Sequence, residues 1–225
     1  MSADYRRRFE EIIPESIRSH RIIVIGAGAI GGWAITNLAK TGFTNLTVYD
    51  DDVVSPENIG VQPYGIADLA LKKVEAMWSK CTQVGVSLRV NDVKFARDTM
   101  GSTSQPEIFL CCVDSMEARK AIWTILKDRK DAILIDLRMG AESALGYVMR
   151  CNKQKDILAY EKTLYSDAQA VQERCTAKAT VYTACYMGAL ATQLVKEVLT
   201  RPDYVRLVSW DIKEFALQIY RKEVA

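Results

Sequence analysis

Residues 21–62, RIIVIGAGAIGGWAITNLAKTGFTNLTVYDDDVVSPENIGVQ, constrain the fold more than any other part of the chain. A short apolar run, a glycine turn, a helical pattern and a second apolar run ending in three carboxylates follow one another. That order predicts strand, turn, helix and strand, which is half of a nucleotide-binding α/β fold. Gly26, Gly28 and Gly31 have the G-x-G-x-x-G spacing. The first glycine permits a tight turn, the second lets backbone approach a phosphate, and the third lets the helix lie close to the sheet. A phosphate is expected at the helix N-terminus, where free N–H groups and the macrodipole favour an anion. Asp50 closes the second run 19 residues after Gly31, where a carboxylate can accept hydrogen bonds from a ribose.

The alternation continues through the first two thirds of the chain, the pattern of a mostly parallel sheet with helices on its faces. Strands are predicted at 21–26, 45–50, 86–91, 107–113 and 132–137, rich in Val, Ile and Leu as doubly covered strands are. Helices are predicted at 28–41, with Gly42 as C-terminal cap, at 66–80 through Ile66, Leu69, Ala70, Val74 and Met77, and at 115–129 through Met116, Arg119, Ile122 and Leu126. The last third changes character. Residues 144–151 read as a strand paired antiparallel, 152–175 as a long polar crossing loop, and 180–199 as an apolar helix central to the core. A terminal hairpin then forms from YVRLVSWD and FALQIYRK around Ile212 to Glu214. The expected class is α/β, a doubly wound, mostly parallel Rossmann-like sheet with antiparallel C-terminal strands, in one domain over residues 1–225.

Charge and composition narrow the functions. With 30 basic and 28 acidic residues the net charge is +2, which gives no electrostatic case for a nucleic-acid partner. No apolar stretch reaches the roughly 18 residues of a membrane span, and MSADYRRRFEE lacks the apolar core of a signal peptide, so a cytosolic protein is expected. His20 is the only histidine and stands just before the first strand, which nearly excludes a serine–histidine or cysteine–histidine pair. The six cysteines include no C-x-x-C, so no zinc cage is written here. Cys111, Cys112 and Cys185 are expected as small buried hydrophobes.

The glycine turn alone suits an NAD-linked enzyme, and the residues downstream of it disfavour one. After Asp50 come Asp51 and Asp52, then Asn58 and Gln62 in DDDVVSPENIGVQ, Lys73 in LKKVEA, and Asp114 in CCVDS. With YRRR near the N-terminus, this set resembles the ThiF/MoeB family of ubiquitin-activating-type adenylyltransferases over most of residues 4 to 200. The resemblance implies a homodimeric sheet protein that binds ATP and Mg²⁺ and adenylates the C-terminal carboxylate of a ubiquitin-like or sulfur-carrier protein. Gly26, Gly28, Gly31, Asp50, Asp52, Asn58, Gln62 and Lys73 would bind nucleotide, and Asp114 would hold Mg²⁺. Arg7 would reach the nucleotide of a neighbouring subunit, and Cys175, in ERCTAK, would accept the activated group. Arg174 and Lys178 beside Cys175 favour its thiolate.

Plainer roles stay open on position alone. Asp50 to Asp52 fit a solvated loop, Lys73 an ordinary helix lysine, Asp114 a helix cap, Arg7 a basic solvated N-terminal helix, and Cys175 a small residue at a loop-to-helix junction. The chain also departs from the family pattern. Val61 stands where many members carry an arginine before the glutamine, and the paired C-x-x-C that hold structural zinc are absent. Arg138, near the end of the fifth predicted strand, is the candidate to replace that charge. A non-catalytic adaptor that binds such a partner is the rival from another class.

Overall fold

The runs Ile22–Ile25, Leu46–Tyr49 and Glu107–Cys111 are buried at every position, as strands covered by helices on both faces must be, with the one charged residue among them, Glu107, paired to Arg21 and Arg129. The computed structural model describes residues 6–98, 107–165 and 179–221. Within them β1 (Ile22–Ile25), β2 (Leu46–Tyr49), β3 (Arg89–Asn91), β4 (Glu107–Cys111), β5 (Ala132–Met139), β6 (Ser143–Arg150), β7 (Val205–Asp211) and β8 (Ala216–Arg221) form one sheet. Its order is β3-β2-β1-β4-β5-β6-β7-β8, parallel from β3 to β5 and antiparallel from β5 to β8. The doubly wound sheet with antiparallel C-terminal strands is the class expected. The chain runs outward from β1 to β3 and returns to β4 on β1's other side, so the crevice between β1 and β4 is where such sheets hold ligands.

Among the described residues five longer helices cover the faces, after a short α1 (Glu15–Arg18): α2 (Ala29–Lys40), α3 (Lys73–Thr82), α4 (Met116–Leu126), α5 (Gln154–Glu161) and α6 (Val181–Thr200). Helices α2 and α6 lie together over one face, and the approach is close at Gly188, where an added Cβ would stand 2.4 Å from the Trp33 Cβ. On the other face Trp123, Leu126, Phe109, Leu134 and Tyr160 form a second core. No helix among the described residues is long and apolar enough to cross a membrane.

Four sequence expectations need correction. The helix expected at 66–80 begins only at Lys73, and residues 66–68 form a separate 3₁₀ turn. Ala70 lies between them at φ +65°, a left-handed conformation that no helix tolerates, and Ile66 is 80% exposed. The first part of the predicted crossing loop is helical, because Tyr160 packs on Trp123 and Asp156 pairs with Arg206. Strand 86–91 is reduced to Arg89–Asn91 at the sheet edge, with its first two residues exposed rather than covered. Near the N-terminus, residues 6–12 form turns, not a helix.

Candidate functional site

The glycine turn joins the end of β1 to the start of α2. Gly26 has φ +94°, which favours glycine, and an added Cβ there would meet the Cys112 carbonyl oxygen at 2.9 Å. At Gly31 an added Cβ would stand 1.8 Å from the Gly26 carbonyl oxygen, so only glycine lets the helix close on the turn. Gly28 differs. It is the N-cap of α2 without a side-chain cap, and the nearest atom to an added Cβ is Gln62 Nε2 at 4.0 Å. Nothing in the protein demands glycine at Gly28, and the space it leaves is a cradle beside uncapped helical N–H groups.

The acidic end of β2 folds back onto this turn. Asp50 Oδ2 accepts from the Ala27 N–H at 2.6 Å and Oδ1 from the Asp52 N–H at 2.9 Å. Each oxygen keeps a second lone pair for a ligand hydroxyl. Burial pushes the Asp50 carboxyl above its ordinary pKa, against the pull of those two N–H groups and of Lys73. These contacts set aside the reading of Asp50 as part of a solvated loop.

Lys73 comes to the same place from the first turn of α3. Its Nζ lies 2.6 Å from Asp52 Oδ2, with the lysine side chain 8% exposed and the aspartate 65% exposed. The backbone N–H of Lys73 also donates to the Asp52 carbonyl at 3.0 Å. An ordinary helix lysine extends into water, and this one is buried beside the glycine turn. Tyr64 completes the seam, donating to the Ala27 carbonyl at 2.7 Å. No sequence signal marks Tyr64, because a lone tyrosine in a loop carries no spacing.

Between β2 and α3, residues 55–63 lie over the start of α2. Asn58 Oδ1 accepts from the Ser55 N–H at 3.0 Å and from Ser55 Oγ at 3.1 Å, a capping box that leaves the amide NH₂ for other use. Gln62 stands beside Gly28, and its Oε1 is buried without a hydrogen-bond partner among the described residues. Val61 presents its carbonyl to the indole N–H of Trp33 at 2.9 Å.

Asp114 lies two residues past Cys112, whose carbonyl oxygen and Cβ would stand 2.9 Å and 3.2 Å from a Cβ added at Gly26 and at Gly31. It is exposed, and among the described residues no partner holds it. The cap of α4 is Ser115, whose Oγ accepts from the Ala118 N–H at 3.2 Å. The cap role open to Asp114 therefore belongs to its neighbour. Arg119 anchors the segment by donating to the Val113 carbonyl at 2.8 Å.

Gly26, Gly28, Gly31, Asp50, Asp52, Asn58, Gln62, Lys73 and Asp114 thus gather at the carboxyl ends of β1, β2 and β4, and two other candidates, Arg7 and Arg138, do not join them. Arg7 is exposed in the N-terminal turns, where the adjacent Arg6 comes within 3.0 Å of a Cβ built on Gly42, at the opposite end of α2. Arg138 does not supply the charge missing at Val61. Its guanidinium binds Asp136 at 2.8 Å and Thr163 Oγ1 at 2.9 Å, and lies over Tyr147. Cys175, with Arg174 and Lys178, lies outside the described residues.

Known proteins share this sequence pattern and fold. A profile of the ThiF family matches residues 4–223. The chain is 24% identical over 140 residues to SUMO-activating enzyme subunit 2 of Dictyostelium discoideum, covering 60% of this chain and 20% of that protein. It is 26% identical over 112 residues to the molybdopterin-synthase adenylyltransferase of Escherichia coli, covering 48% of this chain and 45% of that one. The chain therefore spans less than half the length of either relative. The crystal structure of E. coli MccB with AMPCPP and MccA superposes with a TM-score of 0.74 at 14% identity, covering 100% of this chain and 72% of that one. At that identity the likeness is one of fold.

Proposed function

The chain belongs to the ThiF family, and we propose that it uses ATP and Mg²⁺ to adenylate the C-terminal carboxylate of a ubiquitin-like or sulfur-carrier protein. The observation that carries this reading is the burial of Lys73 against Asp52 beside the cradle at Gly28. A dinucleotide needs the glycine turn and the ribose carboxylate. A triphosphate also needs positive charge to offset its own before an anionic carboxylate can approach.

The residues fit distinct parts of that reaction. The N-terminus of α2 at Gly28 would take phosphate, Asp50 the ribose hydroxyls, and Lys73 with the Asn58 and Gln62 amides the remaining phosphate oxygens. Asp114, an exposed hard-oxygen donor just past β4, would hold Mg²⁺, whose charge would offset that of the phosphates. The substrate carboxylate oxygen bonds to the α-phosphorus as the bond to the β-phosphate bridging oxygen breaks, and pyrophosphate leaves. No general base is required, because the carboxylate is ionised at neutral pH. The single histidine, His20, lies just past α1 with Nδ1 3.2 Å from the Ile17 carbonyl oxygen, and this reaction makes no use of it. In the fuller reading Cys175 accepts the activated carboxyl group as a thioester with release of AMP, and Arg7 serves the nucleotide of a second subunit. The relatives' names support the class of partner: one is a SUMO-activating subunit, the other a molybdopterin-synthase adenylyltransferase.

Val61 favours a second reading, a ThiF-fold adaptor that binds such a partner without activating it, because its side chain brings no charge to the phosphates. ATP–pyrophosphate exchange with a candidate carrier ending in a free carboxylate separates the two. Carrier-dependent exchange supports adenylation, whereas carrier binding without exchange supports the adaptor.

A further inference from the structure

Loop residues 61, 62 and 63 lie against the N-cap of α2 and two residues of its first turns. The Trp33 indole N–H donates to the Val61 carbonyl at 2.9 Å, Gln62 Nε2 is 4.0 Å from the Cβ position of Gly28, and Pro63 is 2.7 Å from that of Gly32. Most hydrogen bonds of this loop are internal: Asn58 with Ser55, and the N–H groups of Val61 and Gln62 with the Asn58 carbonyl. Internal bonds set the shape of a loop, and a bond to another element sets its place. Among the described residues the Trp33 indole supplies the hydrogen bond from α2 to residues 55–62. Trp33 is itself backed by α6, which passes so close at Gly188 that an added Cβ there would stand 2.4 Å from the Trp33 Cβ. We propose that Trp33 is a positioning residue of this site, whose indole N–H holds residues 61 and 62 so that the Gln62 amide NH₂ faces the phosphate cradle at Gly28. The inference rests on the nucleotide reading above, and it goes beyond it by assigning phosphate-side affinity to a residue that touches no ligand.

The test compares ATP with adenosine, which shares the ribose contacts and lacks the phosphates, by calorimetry on the whole chain. Trp33→Phe keeps the aromatic bulk against Gly188 and removes the N–H donor. It should weaken ATP binding about fivefold to tenfold, the range of one hydrogen bond, and leave adenosine binding unchanged. Gln62→Ala, a truncation at a half-buried loop side chain, should give the same ATP-specific loss and guards against a folding defect in the tryptophan variant. The double variant should lose little more than either single one, because both act through one contact. A Trp33→Phe protein that binds ATP like the parent, or that loses adenosine and ATP equally, would overturn the positioning role. A parent chain that binds neither ligand would instead overturn the nucleotide reading and this inference with it.

Discussion

The Nζ of Lys73 and Oδ2 of Asp52 are 2.6 Å apart, and the same two residues are joined again through the lysine N–H and the aspartate carbonyl at 3.0 Å. The double link explains how a lysine in the first turn of a helix stays buried. The aspartate faces water and the lysine does not, so the pair directs the cation inward. Lys73→Ala should lower adenylation about 100-fold or more, the usual cost of removing one charge-stabilising donor from an active site. The stability cost should be no more than about 1 kcal/mol, because Asp52 is solvated once its partner is gone. Steady-state rates and denaturant melts on one preparation check both numbers.

The second and third glycines of the motif should fail in different ways. Gly31→Ala drives a methyl group into the Gly26 carbonyl and should cost at least about 3 kcal/mol or prevent folding. Gly28→Ala meets no protein atom closer than 4.0 Å and should fold with a loss of at most about 1 kcal/mol, yet bind ATP poorly. Thermal melts with nucleotide titration distinguish steric packing from ligand approach.

Asp114 and Ser115 offer the same separation one residue apart. Ser115→Ala removes the cap of α4 and should cost about 1 kcal/mol while leaving activity near the parent's. Asp114→Ala should change stability by less than about 0.5 kcal/mol, as surface substitutions do, and abolish Mg²⁺-dependent activity. An Asp114→Ala protein that is less stable but fully active would return Asp114 to a structural role.

Much of this site is legible in the sequence because its parts are local. The glycine spacing, the acidic end of β2 and the strand-end Asp114 are fixed by short stretches of backbone, and the structure brings them together. The features that sequence does not reveal depend on distant contacts. Trp33 and Tyr64 act through backbone carbonyls 28 and 37 residues away, and no periodicity encodes such partners. The helix start at Lys73 is hidden because Ile66, Leu69 and Ala70 imitate a helical stripe. The left-handed backbone at Ala70 breaks it, and alanine gives no warning of that conformation. Arg138 misleads because sequence gives its strand position but not the buried Asp136 and the half-buried Thr163 that bind it.

The cysteines should divide sharply in reactivity. Burial pushes the thiols of Cys81 and Cys151 up to about 12, and it also raises those of Cys111 and Cys112. A raised pKa means less thiolate at a given pH, so these four should resist alkylation at about pH 8, where a free thiol near pKa 8.5 is partly ionised. Cys185, half-buried, should react slowly. Cys175 should label first if it is the acceptor thiol. Time-resolved alkylation read by peptide mass spectrometry ranks them, and protection of Cys175 in the folded protein would remove the thioester step.

Calorimetric titration of the purified chain with ATP and Mg²⁺, and separately with NAD, puts the nucleotide assignment at risk in a single comparison. The glycine cradle would suit either ligand, whereas in the proposed reaction the buried Lys73 and the exposed Asp114 would serve the triphosphate and its metal. Saturable ATP binding that weakens without Mg²⁺ and in Lys73→Ala, with no heat from NAD, is the expected result. Tight NAD binding with no ATP signal would contradict it.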